Sequence, residues 1–268
     1  RRLRQLAGRL APRTARDYFR LARAASALAN FQDAQAFKDA NGFFRDANKL
    51  APDDADINAA WGELFLDKHN PADAMKSFSE ALRVDGNHVE ALIGAAQVNA
   101  GMNPPAARAA LERALKVNPN SVPAHLLQAE LALDDRERDA ARESIKKALS
   151  VNSNSLEARS LDAAIARLDD QSAEFEKRSQ DVLTINRNYG EVYRVAGDHL
   201  ARNYRFDEAV ELVQRAIKLD PDNTRAYSDL GTHMLRTGDE KGARVALERA
   251  FKGDSFDQTT FNQLDLLD

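Results

Sequence analysis

The chain has 268 residues, no cysteine, and a formal net charge of −4 that results from 38 basic and 42 acidic side chains. The lack of cysteine excludes disulfide frameworks, thiolate nucleophiles and sulfur-ligated metal sites, and it is compatible with the cytosol or with export to the periplasm. The near balance of charge argues against a nucleic-acid partner, and no run of about 18 apolar residues predicts a membrane span, so we expect a soluble chain.

Residues 1–16 are predicted to form an N-terminal capping helix or a partial repeat, because Leu3, Leu6 and Leu10 give an apolar helical stripe. Arginines fill the other face, and Asp17 is the one acid near them. Contact with nucleic acid or acidic lipid is one interpretation of this charge, and a solvated helix face is the interpretation that we prefer. The chain starts with arginine instead of methionine, so we expect a fragment or a processed form.

Between residues 17 and 257 the sequence repeats itself about every 34 residues. One row of small or short apolar residues is Ala47, Ala81, Ala114, Ala148, Val182, Ala216 and Ala250. A second row, seven residues upstream, is Ala40, Ala74, Ala107, Ala141, Phe175, Ala209 and Ala243. A third row lies between them and consists of Phe44, Phe78, Leu111, Ile145, Ser179, Val213 and Leu247. Positions separated by three, four and seven residues share one helix face, so each repeat is predicted to contain an amphipathic helix with a small–large–small stripe.

A fourth row of mostly small residues predicts another helix in each repeat, about 20 positions before the first row. Its members are Leu28, Gly62, Ala95, Ala129, Ala163, Gly197 and Gly231. Small side chains let two helix backbones approach, which predicts an antiparallel helix pair. Pro52, Pro119 and Pro221 follow the second helix of their repeats, and Gly86 occupies the matching place in another, as expected where a helix ends.

This pattern resembles the tetratricopeptide repeat, a 34-residue helix–turn–helix unit with a large aromatic, Leu-Gly, small and aliphatic positions and a final proline. The best copy consists of Tyr193, Ala196, Gly197, Leu200, Ala209, Val213, Ala216 and Pro221. The resemblance implies an all-α fold, a right-handed α-α superhelix of about seven repeats over residues 17–257, with terminal capping helices.

The fifth repeat departs most from the family pattern. Arg159, Phe175, Ser179 and Arg187 stand where the aromatic, small, large and proline residues are expected. A polar residue at a large apolar position and a bulky one at a small position disturb the packing stripe. We therefore expect this repeat to be locally distorted or loosely packed.

Residues 258–268 are predicted to begin a C-terminal helix that leads into a following segment. Phe261, Leu264 and Leu267 are apolar, whereas a terminal repeat helix needs a polar outer face. The text SFDQTTFNQLDLLD is also similar to the junction in some bacterial proteins between a repeat array and a peptidase MA-like domain. That resemblance implies an alternative function, an accessory repeat domain of a larger peptidase-like enzyme, whose C-terminal domain would then be the partner.

The sequence contains no catalytic or cofactor-binding motif: no His-Glu-x-x-His, no glycine-rich phosphate loop and no serine elbow. His199 and His233 occupy the same repeat position, but equivalent atoms of successive repeats lie about 10 Å apart, too far to share a metal ion. We therefore predict a chain that is not an enzyme, with no metal and no cofactor, whose histidines are packed or lie on the surface.

Stacked helix pairs curve so that their first helices make a concave wall. The chain is therefore predicted to be a protein–protein interaction scaffold that binds a peptide or partner protein in this groove. The wall positions of the resembled family give a candidate site of Glu63, Leu92, Asn99, Leu126, Glu130, Leu133, Arg167, Arg194, Asp198, Arg202, Arg225 and Arg236. The same wall includes Asp56, Leu66, Asp67 and Asp134.

The charges of this wall are predicted to be divided along the chain. Acidic and aliphatic residues come first, and basic residues dominate from residue 156 onward. Such a division suits an extended peptide with a charge asymmetry of its own, because complementary patches favour one orientation. A solvated surface without a ligand is the alternative interpretation.

Overall fold

The structure is a computed structural model that describes residues 12–29 and 34–267. These residues form fifteen α-helices and no strand, which confirms the predicted all-α fold. In chain order the helices are α1 (Ala15–Ala29), α2 (Ala34–Leu50), α3 (Ala55–Leu66), α4 (Pro71–Val84), α5 (Val89–Asn99), α6 (Pro104–Val117), α7 (Val122–Asp134), α8 (Arg138–Val151), α9 (Leu156–Leu168), α10 (Ser172–Ile185), α11 (Glu191–Arg202), α12 (Phe206–Leu219), α13 (Thr224–Thr237), α14 (Glu240–Gly253) and α15 (Gln258–Asp265).

The helices are arranged as seven consecutive pairs, in which each odd-numbered helix from α1 to α13 packs against the next helix in the chain. These pairs correspond to the predicted repeats. Most of the capping helix predicted at 1–16 lies outside the described residues, and α15 falls within the predicted C-terminal segment. The division into cap, array and C-terminal segment stays a prediction.

Short polar side chains define where several first helices begin. The Asp54 carboxylate accepts a hydrogen bond from the Ile57 backbone N–H at 3.1 Å, and Ser121, Ser155 and Asn223 cap their helices in the same way. A side-chain oxygen at this position satisfies a backbone donor that the helix cannot pair internally. At the other end, α2, α6 and α12 each end two residues before a proline of the sequence pattern, which is Pro52, Pro119 or Pro221.

The three rows of the second helices form the packed interior of every pair. All of their members are at most 3 % exposed, so the predicted small–large–small stripe is confirmed. Alanine at the flanking positions allows the first and second helices to approach, and the large central residue fills the space between them. Burial of these apolar side chains stabilises each pair.

The fifth repeat forms a regular second helix in spite of its unusual sequence. Helix α10 has 14 residues, the same number as α8 and α12. Phe175 is 1 % exposed and packs edge-on against Tyr193, with ring centroids 6.0 Å apart. The bulky residue has moved from the central position of the stripe to the flanking one, while Ser179 takes the central place. The expected distortion is absent from the helix, because the large residue at the flanking position compensates for the small residue at the central position.

The described part of the chain divides into two compact units. The first unit contains the described residues up to Val117 together with Phe256–Gln258. The second unit contains Asn118–Ser255 and residues 259–267. The second unit therefore includes four helix pairs, α7 to α14, and most of the charged side chains described below belong to it.

Candidate functional site

The predicted site residues of the first unit do not form one cluster. The Glu63 carboxylate pairs with the Arg23 guanidinium at 2.8 Å, and the Asn99 side chain donates to the Ala95 carbonyl at 2.9 Å. Desolvation raises the pKa of Glu63. Leu92 is 0 % exposed, so its side chain packs inside the unit and cannot touch a ligand. The prediction that Leu92 lines a groove is wrong.

In the second unit, the structure brings together four predicted wall residues, which we call the inner cluster: Glu130, Asp134, Asp198 and Arg202. The Arg202 guanidinium lies 2.8 Å from the Asp134 carboxylate and 2.9 Å from the Asp198 carboxylate. Asp134 ends α7 and Arg202 ends α11, so their side chains meet across the repeat that contains α9. First helices two repeats apart can touch only on the side toward which the helix stack curves. The inner cluster therefore lies on the concave side of the second unit.

Glu130 is the one member of the inner cluster that forms no ion pair or hydrogen bond with the described residues. Its side chain is exposed to solvent on α7. Desolvation by the surrounding protein raises the pKa of Glu130, and the carboxylates of Asp198 and Asp134 raise it further, against the lowering effect of Arg202 and Arg225. The negative charge of Glu130 is therefore incompletely compensated.

A small polar cavity lies beside the inner cluster. Its volume is about 140 Å³, and its lining residues are Leu133, Asp134, Arg136, His199, Arg202 and Asn203. His199 is 4 % exposed, and its ring forms no hydrogen bond with the described residues. Desolvation lowers the pKa of His199 to about 4, so the ring is neutral at physiological pH and one of its nitrogens can accept a hydrogen bond.

Arg194 has a structural role that differs from the prediction. It is 8 % exposed, and its guanidinium lies 2.7 Å from the Glu191 carboxylate and 2.7 Å from the Asp229 carboxylate. The Asn223 amide completes the network by donating to Glu191 at 2.7 Å. Although burial alone would lower the pKa of Arg194, the two carboxylates raise it above its ordinary value. Arg194 therefore joins α11 to α13 and is not available to a ligand, so its assignment to the groove is corrected.

The partners of Arg194 were not predicted from the sequence. Asp229 follows Arg194 by 35 residues, which is one repeat and one residue. Opposite charges separated by about one period were a signal for an ion pair between neighbouring repeats. Glu191 was detectable in the same way, because it precedes Arg194 by three residues on one helix.

The other predicted residues of the second unit lie in different surroundings. Arg167 pairs with Glu208 of a second helix and with Asp170 at 3.6 Å. Leu126 is half-buried and packs against the core, and Leu133 is buried at the edge of the small cavity. Arg225 and Arg236 are exposed.

Charges of the two signs are interleaved in the second unit. The acidic Asp134 and the basic Arg202 are in contact, and the acidic Asp198 lies between them in the chain and beside them in space. The predicted division into an acidic part followed by a basic part is therefore wrong for this unit. The physical reason is that curvature brings side chains of distant repeats together, and opposite charges pair where they meet.

Residues 12–29 and 34–267 contain no group of three or more histidine or acidic side chains that could hold a metal ion. None of the helices in these ranges combines the length and the apolar character needed to cross a bilayer.

The fold and the repeated stripe define a helical-repeat protein of the solenoid class. Two family models, both described as tetratricopeptide repeat, match residues 102–157 and 200–257. The first match covers α6 to α8 and the second covers α12 to α14, so each contains a second helix and the complete helix pair that follows it. These two stretches of the chain are thus tetratricopeptide repeats. No curated protein matches the chain.

Several solved structures share this fold. A tetratricopeptide repeat protein from Parabacteroides merdae is 16 % identical with a TM-score of 0.57, over 93 % of this chain and 98 % of that one. A chain of the APC/C hetero-tetramer Cut9–Hcn1 is 13 % identical with a TM-score of 0.59, over 91 % of this chain and 48 % of that one. Yeast Tom70 is 16 % identical with a TM-score of 0.54, over 94 % of this chain and 58 % of its own. This chain thus spans about half the length of the Cut9–Hcn1 and Tom70 chains.

Repeats of this type suggest a protein–protein interaction scaffold. None of the comparisons supports the resemblance of the C-terminal residues to a peptidase MA-like junction, or the alternative function that rested on it.

Proposed function

We propose that the second unit is a non-catalytic scaffold that binds a peptide segment of a partner protein on its concave side. The observation that carries this proposal is Glu130, a desolvated carboxylate on the concave wall that remains open to solvent and has no partner among the described residues. The surrounding protein and the carboxylates of Asp198 and Asp134 make the charged form of Glu130 less favourable, and a positive charge beside it would offset this effect. A bound segment of a partner would supply that charge.

The surroundings of Glu130 favour a segment of polypeptide as the ligand. Arg225 and Arg236 are exposed on α13, and Leu126 is half-buried on α7 beside Glu130. Charged groups of both signs with an aliphatic surface between them match the mixed character of an extended peptide. The side chains are spread over several first helices and do not converge on a reacting atom, which supports a role in binding and not in catalysis.

The lack of cysteine in this chain allows a direct test. Peptides that bind the purified chain would be selected from a library of random twelve-residue sequences. Single-cysteine variants would then report where the peptides bind: Arg225→Cys on the concave side and Lys146→Cys on the second helix α8, both at exposed positions. We expect the selected peptides to slow alkylation of the thiol at position 225 and to leave the rate at position 146 unchanged.

Two outcomes would contradict the proposed function. Failure to select any binding peptide would remove the evidence for a peptide-binding scaffold. Equal protection of the two thiols, or protection at position 146 alone, would show that the peptides bind elsewhere.

A further inference from the structure

The inner cluster contains three carboxylates and one guanidinium, so it carries an excess of negative charge. Arg202 contacts Asp134 and Asp198 with different nitrogens of the same guanidinium, and this contact leaves Glu130 without a cation. Arg225 is near enough to lower the pKa of Glu130, but it forms no ion pair with it. The concave side therefore has room for one more positive charge next to Glu130.

A second polar group, in the small cavity beside the inner cluster, also has an open hydrogen-bonding position. His199 lines the small cavity together with Asp134 and Arg202, and its ring is almost completely buried without a hydrogen bond to the described residues. The ring nitrogens of His199 are not among the fully enclosed atoms that lack a partner, so they are open to this cavity. Because His199 is neutral, it offers an acceptor nitrogen beside the carboxylate of Asp134.

We propose that Glu130, together with Asp134 and Asp198, receives the side chain of a lysine or arginine residue from the bound segment, and that the ring of His199 accepts a hydrogen bond from the same segment in the adjoining cavity. This inference rests on the proposed function, because it names the kind of residue that the concave side recognises. An ammonium or guanidinium group carries several N–H donors, which match the carboxylate oxygens of Glu130, and another N–H of the segment matches the ring nitrogen of His199.

A divalent metal ion fits these residues less well. Calcium needs six to eight oxygen ligands and magnesium needs near-octahedral coordination. Arg202 already occupies one oxygen of Asp134 and one oxygen of Asp198, so only Glu130 offers both of its carboxylate oxygens. An organic cation of single charge needs fewer acceptors and balances the one carboxylate that lacks a partner.

The test compares two variants with the peptides selected on the wild-type chain. Glu130→Gln removes the negative charge and keeps the size of the side chain. Glu143→Gln makes the same change at an exposed position of the second helix α8. We expect the selected peptides to share a lysine or arginine, and Glu130→Gln to weaken their binding by at least about tenfold, because neutralising one partner of a desolvated charge pair is costly. Glu143→Gln should leave the affinity within about twofold, as is usual for an exposed charge.

A second set of peptides identifies the contact itself. Replacement of the shared basic residue by alanine should weaken binding to the wild-type chain at least about tenfold and should cause little further loss with Glu130→Gln, because the two changes remove the same interaction. Selected peptides without a basic residue, or equal affinity for Glu130→Gln and the wild type, would overturn the inference. If the thiol at position 225 is still protected in that case, the proposed function stands without it. If no peptide is selected, the proposed function and the inference about Glu130 are both contradicted.

Discussion

The ring of Phe78 on α4 packs directly onto the backbone of Gly94 on α5, in the space that a Cβ atom at Gly94 would occupy. The same ring faces Gly62 on α3, where a Cβ atom would lie 2.6 Å from Cε1 of Phe78. A fully buried aromatic ring thus fits between two successive first helices because both present glycine to it. The sequence predicted Gly62 as a contact point between helices, whereas the equivalent role of Gly94 became visible only in the structure.

Replacement of Gly94 by alanine should destabilise the chain by about 2 kcal/mol, because the added methyl group overlaps a ring that cannot move away. Alanine gains roughly 1 kcal/mol of helix propensity over glycine, so the measured change is a net value. Urea unfolding monitored by circular dichroism would measure it. Gly42→Ala is the matched control, since Gly42 also lies inside a helix and only the end of the Arg45 side chain, at 4.0 Å, is near a Cβ atom there. A stability increase for Gly94→Ala would show that the packing around Phe78 can adjust.

Arg194 and Arg202 were both assigned to the groove, but their burial predicts different effects on stability. Arg194→Met should cost about 3 kcal/mol, because it leaves the carboxylates of Glu191 and Asp229 without their shared cation. Arg202→Met should cost about 1 kcal/mol or less, because almost half of the Arg202 side chain is exposed and solvent screens its ion pairs. Urea unfolding of both variants would measure this difference. Equal losses would contradict the distinction between a structural arginine and a surface arginine.

Ser179 is fully buried, and its hydroxyl group has no hydrogen-bond partner among the described residues. Ser179→Ala should stabilise the chain by about 1 kcal/mol, because it removes an unpaired polar atom from the interior. Ser144→Ala is the control, because that hydroxyl donates to the Ala140 carbonyl at 3.0 Å. Both changes give the same gain in helix propensity, so the difference between the two midpoints of thermal unfolding reports the hydrogen bond. A larger gain for Ser144→Ala would contradict the prediction.

The sequence predicted the helix pairs well, because their packing depends on contacts that recur with one period. The positions of Ala47 and Phe44, for example, recur in each repeat, and the residues at these positions are buried in every pair. The same reasoning failed for Leu92, since a family pattern gives the average direction of a position and not the contacts of one side chain. It also failed for Arg194, whose burial depends on acidic partners in two different helices.

The charge distribution on the concave side was not predictable from the order of residues. Asp134 and Arg202 are 68 residues apart and meet only because the intervening repeat allows their helices to approach. The period places both residues on the first helices, but it does not give the curvature of the stack. The repeat pattern placed Glu130 on the wall. That Glu130 lacks a partner became visible only in the structure, where Arg202 pairs with Asp198.

His199 should make the stability of the chain depend on pH. Its pKa is about 4 in the folded chain, against an ordinary value of 6.5, because desolvation disfavours the charged ring. The unfolded chain therefore binds more protons between these pH values. The contribution of the neutral His199 to stability is fully present above pH 6.5 and is lost as the pH falls toward 4. A difference of this size corresponds to about 3 kcal/mol. The free energy of unfolding in urea, measured at several pH values between about 7.5 and 4, would show the loss.

Comparison with His199→Gln separates this contribution from that of the carboxylates. Asp198 has a lowered pKa because the neighbouring Arg202 outweighs the effect of burial, so it adds its own loss of stability at still lower pH. Glu130 acts in the opposite direction, since its raised pKa favours the folded chain as it becomes protonated. Both carboxylates remain in His199→Gln, and the variant should therefore have a flatter profile than the wild type between pH 6.5 and 4. The exposed His69→Gln serves as the control and should follow the wild-type profile. Parallel profiles for the wild type and His199→Gln would show that a ligand or solvent reaches the ring and stabilises its charged form.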